Sequence, residues 1–203
     1  MPSQLIQPGK KKMNSLIFAT NNKNKVAEVR HLLGIEFEIK SLSEKNINID
    51  IPEPFDTLEE NAIEKAEVIY RLTSTNCFAE DSGLMVDSLG GDPGVRSARY
   101  AGEQASYENN VDKLLFKLDG KTERSATFKT VICLIEDGSK VLFEGTCKGT
   151  IIAEKRGEMG FGYDPVFIPD GAMKTFSEMT MDEKNLYSHR KKAVEKFIKY
   201  LRN

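Results

Sequence analysis

Long apolar runs are missing from this chain of 203 residues. No stretch reaches the ~18 apolar residues of a membrane-spanning helix, so no membrane partner is expected. A charge excess is missing too: 29 lysines and arginines stand against 31 aspartates and glutamates, for a formal net charge of -2. Nucleic acid is therefore not an expected partner, and an anionic ligand has to be held by local positive groups. Cysteine is scarce. Cys77, Cys133 and Cys147 show no C-x-x-C spacing, which argues against zinc and disulfides and for buried thiols in a reducing, cytoplasmic setting. The opening MPSQLIQPGKKKMN has three lysines with no apolar run behind them, unlike a signal peptide. G-x-S-x-G is absent, and only His31 and His189 exist to serve as a base, which disfavours a serine hydrolase. With no repeat or low-complexity linker, the expected organisation is a flexible extension over residues 1–14 and a single domain over 15–203.

What is present begins with SLIFAT (15–20), a nearly continuous apolar run of the kind that marks a strand covered on both faces. After NNKNK, the segment VAEVRHLLG places Val26, Val29, Leu32 and Leu33 on one helical face, with Gly34 as C-cap. FEIKSL (37–42) alternates like a strand, and the proline-punctuated DIPEPFD follows as a loop. Thr57 and Glu60 form a capping-box pair ahead of a helix with Leu58, Ala62, Ala66 and Ile69 on one face. NCFAED reads as the next strand, and residues 80–103 as a long glycine-rich loop. Val111, Leu114, Leu115 and Leu118 mark a third helix. Residues 126–152 read as two strands joined at Asp137-Gly138. PVFIP (165–169) is extended, and the tail carries Ala193, Val194, Phe197, Ile198 and Leu201 at helical spacing. Alternating strands and helices followed by a hairpin predict an α/β fold with a mixed sheet.

Four boundaries could carry chemistry. Thr20, Asn21, Asn22, Lys23, Asn24 and Lys25 run from a strand end into a helix N-terminus, either an anion cradle or a capped helix with solvated lysines. No G-x-x-x-x-G-K-[ST] occurs, so it is not a phosphate loop of that type. Glu80 and Asp81 end the strand NCFAED. Two adjacent carboxylates repel unless a cation lies near, and oxygen ligands suit magnesium; the bland reading is an Asx turn. Glu53, Asp56, Glu59 and Glu60 supply further acids upstream. In MGFGYDPVF, Phe161 and Tyr163 flank Gly162 ahead of Asp164, either a face for a base to stack on or a tight turn with a core aromatic. Finally, Ser188 is the expected N-cap of the last helix, which places His189 and Arg190 in a first turn where cations are disfavoured. A ligand anion or carbonyl would explain them, and so would plain solvation.

Taken in order, Thr20-Asn21-Asn22-x-x-Lys25, Asn61-x-x-x-Lys65-Ala66, AEDSGL, GDPGVRSARYAG, GFGYDP, and Lys184 with SHR resemble the inosine/xanthosine triphosphate pyrophosphatase family. The match is collinear from about residue 15 to the C-terminus. Two positions depart from the commonest pattern. Asn21 stands for the usual glycine, a residue that tolerates left-handed backbone, and Glu80 stands for the first of two aspartates.

The resemblance implies two lobes on a long mixed β-sheet flanked by helices, with substrate in the cleft between them. It implies hydrolysis of ITP, dITP and XTP to monophosphate and pyrophosphate, with Mg2+, by a homodimer. By the same resemblance Thr20 to Lys25 hold the triphosphate and Lys65 reaches the same anion site. Asp81 is the catalytic carboxylate or a metal ligand, with Glu53 and Glu80 as further metal positions. Ser82 touches the nucleotide, while Phe161, Gly162, Tyr163, Asp164, Lys184, His189 and Arg190 form the base and sugar pocket. In the pocket that the resemblance implies, His189 and Arg190 are donors that suit the 6-oxygen of hypoxanthine or xanthine over the 6-amino group of adenine; guanine has the same 6-oxygen, so shape or backbone contacts at position 2 must reject it. Two rivals remain. A Maf-like pyrophosphatase for other modified nucleotides shares the cationic opening but not GFGYDP or SHR, and a non-catalytic nucleotide-binding protein has no need of Glu80 and Asp81.

Overall fold

The computed structural model describes residues 15–34 and 36–202, so the extension expected over residues 1–14 lies outside the described residues. β1 (Ser15–Phe18) is followed by α1 (Lys23–Leu33), β2 (Glu38–Ser41), α2 (Leu58–Thr73) and β3 (Cys77–Val86). Then come β4 (Pro93–Gly94), α3 (Tyr107–Lys117), β5 (Ser125–Glu136) and β6 (Ser139–Ile151). β7 (Phe167–Pro169), α4 (Met181–Asn185) and α5 (His189–Leu201) complete the order.

Among the described residues the strands form one sheet in the order β2-β1-β3-β5-β6-β7, with β4 beside β3. β1 runs parallel to β2 and β3, while the remaining pairs are antiparallel. The expected mixed α/β sheet is what forms. Asp137 and Gly138, with φ of 48° and 81°, turn the β5–β6 hairpin, since a two-residue loop of this hand needs positive φ at both central positions.

The period-two alternation of β3 and β5 sends apolar residues to both faces. Phe78, Ile132 and Leu134 pack with α1 and α5 through Val29, Val194 and Phe197. Cys77, Ala79, Val131 and Cys133 pack on the opposite face, against Ala62, Ala66 and Ile69 of α2. Leu84, Val86, Ala126, Phe128, Cys147 and Ile151, farther along the same strands, form a third cluster with Val111 and Leu114 of α3. The long strands thus carry two lobes, and the polar residues sit at the waist between them. None of the helices among the described residues is long and apolar enough to cross a membrane.

One expectation is corrected. Residues 80–86 are not loop but the second half of β3, paired in register with β5 from Glu80↔Ile132 to Val86↔Ala126. Acids, serine and glycine are depleted in strands, so the segment reads as a loop, but cross-strand pairing and side-chain partners override that preference. Gly83 is needed for the fit, because a Cβ there would collide with the Gly94 carbonyl. Similarly α1 starts at Lys23, so NNKNK is less an approach than a first turn. Asn21 does not use the left-handed backbone its chemistry permits.

Candidate active site

β1 pairs with β3 only through Ile17↔Cys77 and Phe18↔Phe78, and β4 takes over at Leu84↔Gly94. Between them, residues 80–83 of β3 are left without a strand on that side, and the sheet opens. A cavity of about 260 Å³ fills the opening. It lies at the carboxyl end of β1, where open α/β sheets present ligands. Thr20, Asn21, Asn22, Lys25, Glu53, Lys65, Glu80, Asp81, Ser82, Phe161, Gly162, Tyr163, Asp164, Lys184, His189 and Arg190 all line it. The structure thus brings together every expected residue except Lys23 and Asn24, which are exposed and point elsewhere.

The first wall is the turn before α1. The Asn22 side chain caps the helix by accepting from the Asn24 and Lys25 N–H groups at 3.0 and 3.2 Å, and Thr20 Oγ1 accepts from the Asn22 N–H at 3.1 Å. Burial pulls the Lys25 pKa down, against the pull of Glu80 3.5 Å away.

Alternation along β3 then resolves the adjacent acids. Neighbouring side chains point to opposite faces, so Glu80 and Asp81 take different hydrogen-bond partners, although Lys25 acts on both. Glu80 turns toward α5, where Arg190 Nε donates to Oε2 at 2.8 Å and Nη2 to Oε1 at 2.7 Å. Ser82 Oγ, on the same face, donates to Glu80 Oε1 at 2.7 Å. Although burial raises the Glu80 pKa, Arg190 and Lys25 outweigh it and hold the carboxyl well below the usual range. Glu80 was an expected metal ligand. Both its oxygens accept from Arg190 here.

Asp81 turns toward α2. Lys65 Nζ donates to Asp81 Oδ1 at 2.7 Å and to Glu53 Oε1 at 2.6 Å, which brings the proline-flanked loop to the strand. Asp81 Oδ2 is buried and has no hydrogen-bond partner. Burial pushes the Asp81 carboxyl up and Lys65 pulls it back, with the net upward. Burial also raises Glu53, but Lys65 and Arg99 win and hold it at about 2. Asp56, Glu59 and Glu60 stay outside the cavity, and Glu59 pairs with Lys129 instead.

The far wall is a second buried charge cluster. Arg190 Nη1 donates to Glu28 Oε2, and Lys184 Nζ donates to Glu28 Oε1 at 2.9 Å and to Asp164 Oδ2 at 2.6 Å. The cation in the first turn of α5 is therefore explained by acids of the protein itself. Phe161 lies over this cluster, with Lys184 Nζ 5.3 Å and Arg190 Cζ 5.5 Å from its ring centroid. Tyr163 is not the exposed face the sequence allowed. Its ring is in the core and its hydroxyl donates to the Ser97 carbonyl at 2.9 Å. Glu28 and Arg99 were missed. Glu28 is a carboxylate in the otherwise apolar buried stripe of α1, which is a readable signal. Arg99 sits in SARYAG and donates to the Glu53 side chain and carbonyl, both at 3.0 Å.

His189 stacks on Phe128 with ring centroids 4.7 Å apart. Burial first, then Arg190 and Lys184, pulls its pKa well below 6.5, so the folded state holds it neutral. The unfolded chain protonates near pH 6.5. The stability this contributes is complete above about 6.5 and is lost as pH falls toward the folded pKa. In urea unfolding between pH 7.5 and 5.5, the wild type should lose up to about 1.4 kcal/mol per pH unit that His189→Asn does not lose. Equal slopes for the two proteins would remove this account.

A model described as the Ham1 family matches residues 16–200. The dITP/XTP pyrophosphatase of Porphyromonas gingivalis is 50% identical over 190 residues, covering 93% of this chain and 98% of the relative. That of Flavobacterium psychrophilum is 48% identical over 188 residues, 93% and 99% of the two chains. Among solved structures, the Ham1 protein of Staphylococcus aureus superposes with a TM-score of 0.84 at 37% identity, over 93% of this chain and 98% of its own.

Proposed function

This chain belongs to the Ham1 family, and from that premise we propose that it hydrolyses deaminated purine nucleoside triphosphates to the monophosphate and pyrophosphate. The observation that carries the reading is Asp81 Oδ2, a buried carboxylate oxygen with no partner, on a side chain fixed through its other oxygen by Lys65 at 2.7 Å. A water bound to Oδ2 gives up a proton there as it attacks the α-phosphorus. The bond from that phosphorus to the bridging oxygen breaks, and pyrophosphate leaves. Phosphoryl transfer asks the protein mainly for alignment and charge neutralisation. The turn from Thr20 to Lys25, at the positive end of α1, presents the Thr20 hydroxyl, the Asn21 amide and Lys25 to the phosphates, and Lys65 adds a second positive charge. The net upward shift makes the Asp81 carboxylate a better proton acceptor than an ordinary aspartate.

Magnesium is part of the proposal. No three His, Cys, Asp or Glu side chains converge among the described residues, which disfavours a cage built by protein alone. The arrangement suits an ion held by one or two carboxylates and by substrate phosphates. Glu53, beside Asp81 on Lys65, would hold that ion, while Asp81 Oδ2 serves the water. When bound it neutralises charge on the transferring phosphoryl group.

At the other end Phe161 offers the ring on which a purine stacks, next to donors on Lys184, His189 and Arg190. A 6-oxo purine presents an acceptor to such donors, where adenine presents a donor of its own. Pyrophosphate release from ITP, dITP and XTP should exceed that from ATP and UTP, and should fall on chelation of magnesium; GTP shares the 6-oxygen, so its rejection has to come from contacts at position 2 of the base. Equal rates on ATP and ITP would overturn the specificity. Preferential cleavage of UTP would favour a pyrimidine-directed pyrophosphatase.

A further inference from the structure

The first turn of α3 sends into the cavity an aromatic residue that the reaction above does not use. Ser106 and Asn109 close a capping box there, so Tyr107 stands at a fixed first helical position and not on a loose loop. Lys155 binds the same helix to the segment leading to Phe161, with Nζ 2.6 Å from Asp112 and 3.4 Å from Glu108. Tyr107 lines the cavity yet remains 43% exposed.

Its two ends touch the two halves of the site. The hydroxyl accepts from Asn22 Nδ2 at 3.2 Å. Asn22 Oδ1 is already committed to the Asn24 and Lys25 N–H groups, so the amide nitrogen is the end that faces Tyr107. A phenol that accepts one bond still has its own proton to donate. The ring lies 5.8 Å from that of Phe161, tilted by 50°. Tyr107 therefore spans the gap from the phosphate turn to the stacking ring. In a nucleotide lying between those points, the sugar occupies that gap.

We infer that Tyr107 is a substrate-binding residue that closes the cleft over the sugar of the nucleotide and donates its hydroxyl proton to a sugar oxygen. This rests on the reading that the cavity takes a nucleoside triphosphate. The Asn22 turn keeps its own capping bonds without Tyr107, so the phosphate cradle survives loss of the hydroxyl.

The test is steady-state hydrolysis of ITP by Tyr107→Phe and Tyr107→Leu, with inorganic tripolyphosphate as a competitive inhibitor that has no sugar. Tyr107→Phe should raise KM about three- to tenfold, the size of one neutral hydrogen bond, with kcat within about twofold. Tyr107→Leu also loses the ring and should raise KM by about tenfold or more. The inhibition constant of tripolyphosphate should stay within about twofold in both variants, and the melting temperature should barely move at an exposed site. An unchanged KM in both variants overturns the inference. So does a parallel loss of tripolyphosphate and ITP affinity, which puts the contact on the phosphates. Absence of ITP hydrolysis by the wild type would overturn the pyrophosphatase reading itself, and this inference with it.

Discussion

Asp81→Asn should lower kcat for ITP by about a hundred- to ten-thousandfold, the usual contribution of a positioned general base. The replacement keeps the shape of the side chain and an oxygen for Lys65. Lys65 also retains Glu53 at 2.6 Å, so its ammonium is not left unpaired in the interior. What is lost is the negative charge at Oδ2, the buried oxygen with no partner. An amide there cannot take the proton of an attacking water. KM should change far less than kcat, because Thr20 to Asn22, Lys25 and the base-side residues are untouched. Pyrophosphate release read beside far-ultraviolet circular dichroism separates loss of chemistry from loss of fold. A kcat within tenfold of wild type, in a folded protein, would remove Asp81 as the base.

That site was partly legible in the sequence because its residues sit at boundaries with their own local rules. A strand end running into a capped helix and Ser188 as N-cap of α5 are both short-range signals, and the structure has both, with Asn22 as the cap of α1. Long-range pairing was not legible. Nothing local says that Glu80 meets Arg190, 110 positions away, or that Glu28 meets Lys184 across 156. The face assignment was hidden for a related reason. Glu80 and Asp81 point oppositely only if the backbone there is extended, and the polar, glycine-bearing stretch reads as a loop until β5 is placed beside it. The sequence therefore pointed to residues that line one cavity, but not to which of their charges were free. Lys23 shows the opposite limit: its charge fits an anion site, but the helical register of α1 carries it away from the cavity.

Arg190→Ala, by contrast with Asp81→Asn, should be felt first in stability. Arg190 is 2% exposed, and its guanidinium holds Glu80 through two nitrogens and Glu28 through the third. Burial opposes its charge, yet Glu80 and Glu28 more than offset that and raise its pKa. Removing it leaves two carboxylates in the interior with only Lys25, at 3.5 Å from Glu80, and Lys184, at 2.9 Å from Glu28, to answer them. Breaking a buried ion pair by deleting one partner costs about 3–5 kcal/mol. In a chain of this size each kcal/mol moves the melting temperature by about 2–4 °C, so a fall of roughly 6–20 °C is expected. Arg190→Gln combined with Glu80→Gln should recover much of it, because the double change removes the charge of Glu80 and leaves Glu28 paired with Lys184. Activity should not return with stability, since the wall beneath Phe161 has lost its guanidinium and keeps only Lys184, and the preference for ITP over ATP should shrink in both variants. A melting temperature for Arg190→Ala within about 3 °C of wild type would show that the cluster is wetter and less coupled than its geometry implies.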